Sequence, residues 1–151
     1  MAIRVGDTIP HFTSVDALGN QFNSNDYVGR KALVIYFYPK DETRVCTAQA
    51  CSFRDQYEVF KELGAEVIGI SSDSVTSHRK FAQNHRLPFL LLADTNQKIQ
   101  KLFGVRRDWF GMIPGRETFV VDQHGTIIMV FDSTSGEIHI QKALEALKKI
   151  N

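Results

Sequence analysis

Cysteine is scarce in this chain, with two among 151 residues, and there is a single tryptophan. Two thiols cannot build a four-sulfur zinc site, and no histidine follows them at finger-like spacing. The absence of C-x-x-C removes the thioredoxin-type dithiol motif. The longest uninterrupted apolar runs, 32–38 and 88–93, fall far short of the roughly 20 residues of a membrane-spanning helix. Charge of one sign is also missing. Eighteen Lys and Arg against seventeen Asp and Glu leave a net +1, with no basic or acidic block to recruit nucleic acid or an anionic lipid surface. Neither G-x-x-x-x-G-K-[ST] nor G-x-G-x-x-G occurs, so nucleotide binding has no motif. Residues 1–7 lack the basic start and apolar core of a secretory signal. A cytoplasmic location is expected, with a plastid stroma or lumen as the alternative if a transit segment has been removed.

What remains is a composition of 43% hydrophobic and 23% charged residues without linkers, low-complexity tracts or repeats, which predicts one domain over residues 1–151. Residues 11–28 read as a small N-terminal β-hairpin around Gly19-Asn20. The run 32–38 is β-branched and aromatic throughout and stops at Pro39, the pattern of a strand buried on both faces. A loop follows. Residues 46–63 then place Phe53, Tyr57, Phe60 and Leu63 at helical spacing, with Gly64 as a stop. Residues 65–71 and 89–93 read as strands, 74–86 and 96–103 as helices. Residues 118–122 and 127–131 form a hairpin pattern, and 136–150 an amphipathic helix with Ile140, Ala143, Leu144, Leu147 and Ile150 on one stripe. Alternating buried strands and helices predict an α/β fold, a mixed β-sheet flanked by helices, without choosing among such folds.

The candidate chemistry is at Cys46 and Cys51, just after a strand and a Pro-containing loop, at the start of a helix. Unpaired N–H groups and the helix dipole favour a thiolate there, which makes Cys46 the better nucleophile. The alternative is two small buried apolar residues, the commonest fate of free cysteine. On a regular helix the C-x4-C spacing separates the Cα atoms by roughly 8–9 Å, beyond the roughly 7 Å limit for a disulfide. Pairing them would require the first turns to unwind. The five histidines, His11, His78, His85, His124 and His139, are scattered and read as surface residues. His78 and His85 share a helix face but stand about 10 Å apart, too far to ligate one metal. With no histidine near the cysteines in sequence, a Cys-His hydrolase is unsupported.

Residues 37–51 strongly resemble the peroxiredoxins, specifically the bacterioferritin-comigratory-protein and peroxiredoxin Q group. The motif P-x-x-x-T-x-x-C is matched at Pro39, Thr43 and Cys46, and Cys51 falls at the group's resolving cysteine. The likeness continues through residues 5–7, 64–71, 87–89 and 110–119, where Arg116 takes the position of the family's active-site arginine. This resemblance implies a thioredoxin-like fold and a thiol-specific peroxidase that reduces hydrogen peroxide and organic hydroperoxides without metal or cofactor. Cys46 is then peroxidatic and Cys51 resolving, through an intramolecular disulfide that thioredoxin or a similar dithiol reduces. Arg116 would hold thiolate and peroxide, Thr43 would offer its hydroxyl to either, and Pro39 would shield the site. A monomer is expected. The sequence departs from the group at Arg44-Val45, where Pro-Gly is usual, and at Gln49, where Glu is frequent. Val45 stiffens the loop, and Arg44 adds a charge two residues before Cys46 that either favours the thiolate or faces solvent. Substrate preference would rest on residues such as Trp109, Phe110 and Met112. Two other readings use the same cysteines: a redox sensor or binding module with little turnover, and a disulfide oxidoreductase or holdase-like chaperone. The intact motif and Arg116 argue against the second.

Overall fold

The computed structural model describes residues 3–105, 107–108 and 113–151. Nine strands and five helices alternate along the described chain: β1 (Thr13–Asp16), β2 (Gln21–Asn23), β3 (Ala32–Phe37), α1 (Arg44–Asp55), α2 (Tyr57–Glu62), β4 (Ala65–Ser71), α3 (Val75–His85), β5 (Leu90–Ala93), α4 (Lys98–Phe103), β6 (Arg107–Asp108), β7 (Ile113–Pro114), β8 (Glu117–Val121), β9 (Ile127–Asp132) and α5 (Gly136–Lys149). Seven of the strands form one sheet in the order β2, β1, β5, β4, β3, β8, β9, and β6 pairs with β7. The strands β5, β4 and β3 run parallel, while β1 and β8 flank them antiparallel, so the sheet is mixed as expected. The N-terminal hairpin is present as β1 and β2.

Strand alternation divides the core in two. Val34, Tyr36 and Tyr38 join Phe53, Phe60 and Phe81 of the helices and Ile140 and Leu147 of α5 on one face. Leu33, Ile35 and Phe37 point the other way, into Phe12, Phe22, Ile99 and Phe103. All six residues of β3 are buried, which is why the run carries no polar position. Each large side chain so removed from water contributes roughly 1.5–3 kcal/mol.

The helices differ from the periodicity in three places. Residues 46–63 are not one helix: Gln56 leaves helical torsions (φ −103°, ψ 5°) and splits the segment into α1 and α2. The break sets Phe60 against Phe53, centroids 5.7 Å apart, and lets the Tyr57 hydroxyl donate to Glu66 on β4 at 2.7 Å. Helix α4 starts at Lys98 rather than 96, because Gln97 is left-handed (φ 61°) and the buried Asp94 carboxylate accepts from the N–H groups of Ile99 and Gln100. Ile150, placed by periodicity on the buried stripe of α5, lies past the end of that helix and is exposed.

Two of the histidines are not surface residues, since His78 and His139 are both fully buried. The His139 ring lies between Ser133 and Thr118. Its Nε2 donates to the Ser133 carbonyl (2.8 Å), and its Nδ1 lies 2.7 Å from the Thr118 hydroxyl, which can serve as donor to a neutral ring. Burial, with the charge of Arg116 acting the same way, lowers its titration below the ordinary histidine range. The unfolded chain then binds the extra proton first, so this contribution to stability is complete above the ordinary value near 6.5 and is lost as pH falls through the lower folded value. His139→Gln keeps a donor and an acceptor but cannot titrate. Its melting temperature is expected to fall less than that of the wild type between about pH 7 and pH 5, as read by thermal unfolding.

Candidate active site

The sheet register builds the site. Phe37, the last residue of β3, pairs with Glu117, the first of β8. Arg116 therefore stands beside the C-terminal end of β3, from which the loop 38–43 leads into α1, although some 70 residues separate it from Cys46. Loops at the C-terminal ends of parallel strands are the usual ligand-facing edge of α/β sheets.

Thr43 is the N-cap residue of α1, in extended backbone (φ −79°, ψ 156°), yet its side chain caps nothing. Its hydroxyl instead donates to the Lys40 carbonyl at 2.8 Å, which leaves the oxygen as an acceptor and the first turn of α1 without a side-chain cap. Cys46 is the third residue of that helix, where the positive end of the helix dipole favours an anion. Its side chain is 1% exposed. The Nη2 of Arg116, itself 9% exposed, donates to Cys46 Sγ at 3.2 Å, and Nη1 donates to Gln49 Oε1. Gln49 lies one turn beyond Cys46 on the same face of α1 and is fully buried. Cys46, Arg116 and Gln49 are thus one connected unit. Pro39 is half-buried in the approach loop, between the buried Tyr38 and the exposed Lys40. Cys51 is on the same helix, half-exposed, and both thiols are free.

Arg44 is the first residue of α1 and is exposed. Among the described residues, the cation recorded against Cys46 Sγ is Arg116. Trp109, Phe110 and Met112 lie outside the described residues.

Three features were not singled out in the sequence. Tyr36, fully buried on β3, stacks on Phe53 with centroids 4.5 Å apart; burial, and then the negative charge of a Cys46 thiolate, raises its phenol well above the ordinary tyrosine range. Gly136 at the start of α5 lets that helix lie against α1, because a Cβ there would stand 2.8 Å from Gln49 Cβ. Glu42, in the approach loop, is left-handed (φ 63°) and is held there by Asn84 and His85 of α3, each at 2.7 Å. Those two hydrogen bonds, that of His85 foremost, lower the Glu42 carboxyl below its ordinary range. Of these, Tyr36 lies in the run whose pattern marks a buried strand; nothing local marks Gly136 or the partners of Glu42.

Residues 5–130 match the AhpC/TSA family. The chain belongs to that family, within its peroxiredoxin Q group. It is 47% identical over 146 residues to the chloroplastic peroxiredoxin Q of Sedum lineare, covering 96% of this chain and 78% of the relative. Its fold matches the peroxidoxin BcpB of Mycobacterium tuberculosis with a TM-score of 0.91 at 34% identity, over 99% of both chains. A cysteine-to-serine variant of PrxQ from Xylella fastidiosa matches equally, TM-score 0.91 at 26% identity over 99% and 98%. The mixed sheet flanked by helices is the thioredoxin-like arrangement of these peroxiredoxins, and thiol peroxidase chemistry comes with the family.

In this peroxiredoxin, Gly136→Ala forces the added methyl group against Gln49. Such overpacking costs about 1–3 kcal/mol. Because Gln49 holds Arg116, the variant is expected to lose both melting temperature and rate of Cys46 oxidation by peroxide, measured by thermal unfolding and stopped-flow fluorescence.

Proposed function

We propose that the chain acts as one thioredoxin-fold domain over residues 1–151, a two-cysteine peroxidase in which Cys46 is peroxidatic and Cys51 resolving. The observation that carries this reading is the 3.2 Å contact of Arg116 Nη2 with Cys46 Sγ at the uncapped start of α1. The Cys46 thiolate attacks the distal oxygen of the hydroperoxide, the O–O bond breaks, and the leaving oxygen takes a proton to become water or an alcohol. Sulfur loses two electrons and becomes a sulfenic acid. Arg116 stabilises first the thiolate and then the charge moving onto the departing oxygen, with its guanidinium orientation fixed by Gln49. Thr43 presents its acceptor oxygen toward the peroxide proton, and Pro39 limits water at the approach.

The Cys51 thiol then attacks the sulfenic sulfur, forming the Cys46–Cys51 disulfide and releasing water. Both residues lie within the continuous helix α1, where a five-residue offset separates Cα atoms by roughly 8–9 Å. The first turns of α1 therefore unwind in the oxidised state and rewind on reduction. An external dithiol, thioredoxin or one like it, takes the disulfide and restores both thiols. The protein works as a monomer in a reducing compartment, cytoplasmic or plastid; the Sedum lineare relative is named as chloroplastic.

The cycle is tested by NADPH consumption with thioredoxin reductase, thioredoxin and hydrogen peroxide. Sustained turnover in the wild type, abolished in Cys46→Ser and lost or strongly slowed in Cys51→Ser, is the expected result. A wild type that forms the disulfide once and stalls overturns the peroxidase reading in favour of a redox sensor. Arg116→Lys removes the two-nitrogen grip on sulfur and Gln49, and Cys46 oxidation is expected to slow by roughly 10²-fold.

A further inference from the structure

The loop that delivers Cys46 is tied down from behind. Tyr38 Oη donates to Asp41 Oδ1 (2.7 Å), Ser77 Oγ donates to Asp41 Oδ2 (2.8 Å), and His78 Nδ1 lies 2.7 Å from the same Oδ2. The other ring nitrogen of His78 is 3.0 Å from the Leu92 carbonyl oxygen on β5. The Asp41 N–H donates to Asp73 Oδ2, which also accepts from Ser71 Oγ. Asp41 is 5% exposed and His78 not at all. Tyr38, Asp41, Ser77 and His78 thereby join the end of β3, the approach loop and α3, with β5 behind the ring.

Hydrogen-bond chemistry fixes where the protons are. A backbone carbonyl only accepts, so His78 Nε2 carries a hydrogen. The Asp41 carboxylate already accepts from two hydroxyls, which leaves one proton to lie between Nδ1 and Oδ2. Two carboxylates, Asp41 and Asp73, face the ring, with ligand atoms of all three residues within 4.8 Å of one another. Among the described residues, the group recorded at ion-pair distance from Asp41 that can carry a positive charge is His78. The contrast is His139, whose corresponding nitrogen meets a hydroxyl, a group able to donate to it, in place of a carboxylate. The three residues also have the donor types of a metal site, but these oxygens and nitrogens are already engaged with Ser71, Ser77 and each other.

We propose that His78 is a buried imidazolium paired with the Asp41 carboxylate, and that this pair is the clasp that positions the peroxidatic loop. It rests, for its catalytic part, on the peroxidase reading above. His78 touches neither thiol nor substrate; it is a positioning residue acting through Asp41 on Glu42, Thr43 and the start of α1. The clasp keeps the loop in place while the first turns of α1 unwind, so rewinding returns Cys46 to Arg116. Releasing it disfavours the folded site, in which peroxide reacts, relative to the unwound one, in which the disulfide forms. The two steps should therefore respond unequally.

The protonation state is read by ¹⁵N–¹H correlation of the histidine rings in the reduced wild type at about pH 7.5, above the ordinary histidine titration near 6.5. Both His78 ring nitrogens are expected to be protonated, unlike those of exposed His11 and His124. A neutral His78 overturns the ion pair, whatever the enzyme does. The positioning role is read with Asp41→Asn and His78→Gln, by separating Cys46 oxidation from disulfide formation in stopped flow. Oxidation should slow by roughly tenfold or more, as misplaced catalytic groups do, while disulfide formation is not slowed in proportion. Equal slowing of both steps, or neither, overturns the positioning role. Should one variant fail to fold, the other carries the kinetic test. Absent turnover in the wild type would sink the peroxidase reading and leave the ring spectrum to decide the ion pair.

Discussion

A sulfur that is to react as an anion while almost wholly removed from water needs a cation against it, and the arrangement of this molecule follows from that requirement. Arg116 meets it for Cys46. The guanidinium can arrive there only because β8 pairs antiparallel with β3 in the register that sets Phe37 opposite Glu117. Gln49, one turn along α1, engages the guanidinium's other terminal nitrogen and holds its orientation. Gln49 in turn has room only because α5 begins with a glycine at the point of contact. Sheet register, helix face and helix packing thus converge on one sulfur–nitrogen contact.

The same contact stands in tension with the second half of the cycle. A continuous helix from Arg44 to Asp55 is what aims Cys46 at Arg116, and it is also what keeps Cys46 from Cys51. On the proposed two-cysteine cycle, the protein has to be stable enough at the start of α1 to react with peroxide and unstable enough there to resolve. Its construction suits both demands. The side chain of the N-cap residue Thr43 does not cap α1, whereas the loop before it is held through Asp41 and through a left-handed Glu42 bound to α3. Weak hydrogen bonding thus sits between firm points, which confines opening to a short segment.

Much of the fold was legible from local pattern. An unbroken apolar run gave β3, a mostly apolar one gave β4, helical spacing gave α3 and α5, and Gly19-Asn20 gave the first hairpin, because period and turn chemistry are properties of neighbouring residues. Where tertiary contacts compete with periodicity the pattern gave way: at Gln56, where Phe60 and Tyr57 are drawn to separate partners, and at Gln97, where a buried Asp94 sets the helix start two residues late. The histidines illustrate the limit best. Polar residues without a local motif read as surface, yet His78 and His139 are both in the interior, with hydrogen bonds to chain segments between 6 and 40 residues away.

By itself, then, the sequence determined the kind of chemistry and the parts list: a reactive cysteine at a helix start, a second thiol five residues on, alternating strands and helices, and, through family likeness, an arginine far down the chain. It could not say that Arg116 would reach Cys46 Sγ with one nitrogen and Gln49 with the other. Nor could it say that Asp41 would find a buried histidine, or that Thr43 would turn its hydroxyl to Lys40 instead of capping its helix. Those are decided by which strands pair and in what register, since a hydrogen bond forms only between atoms that packing has already brought within about 3 Å, and no local pattern encodes that distance.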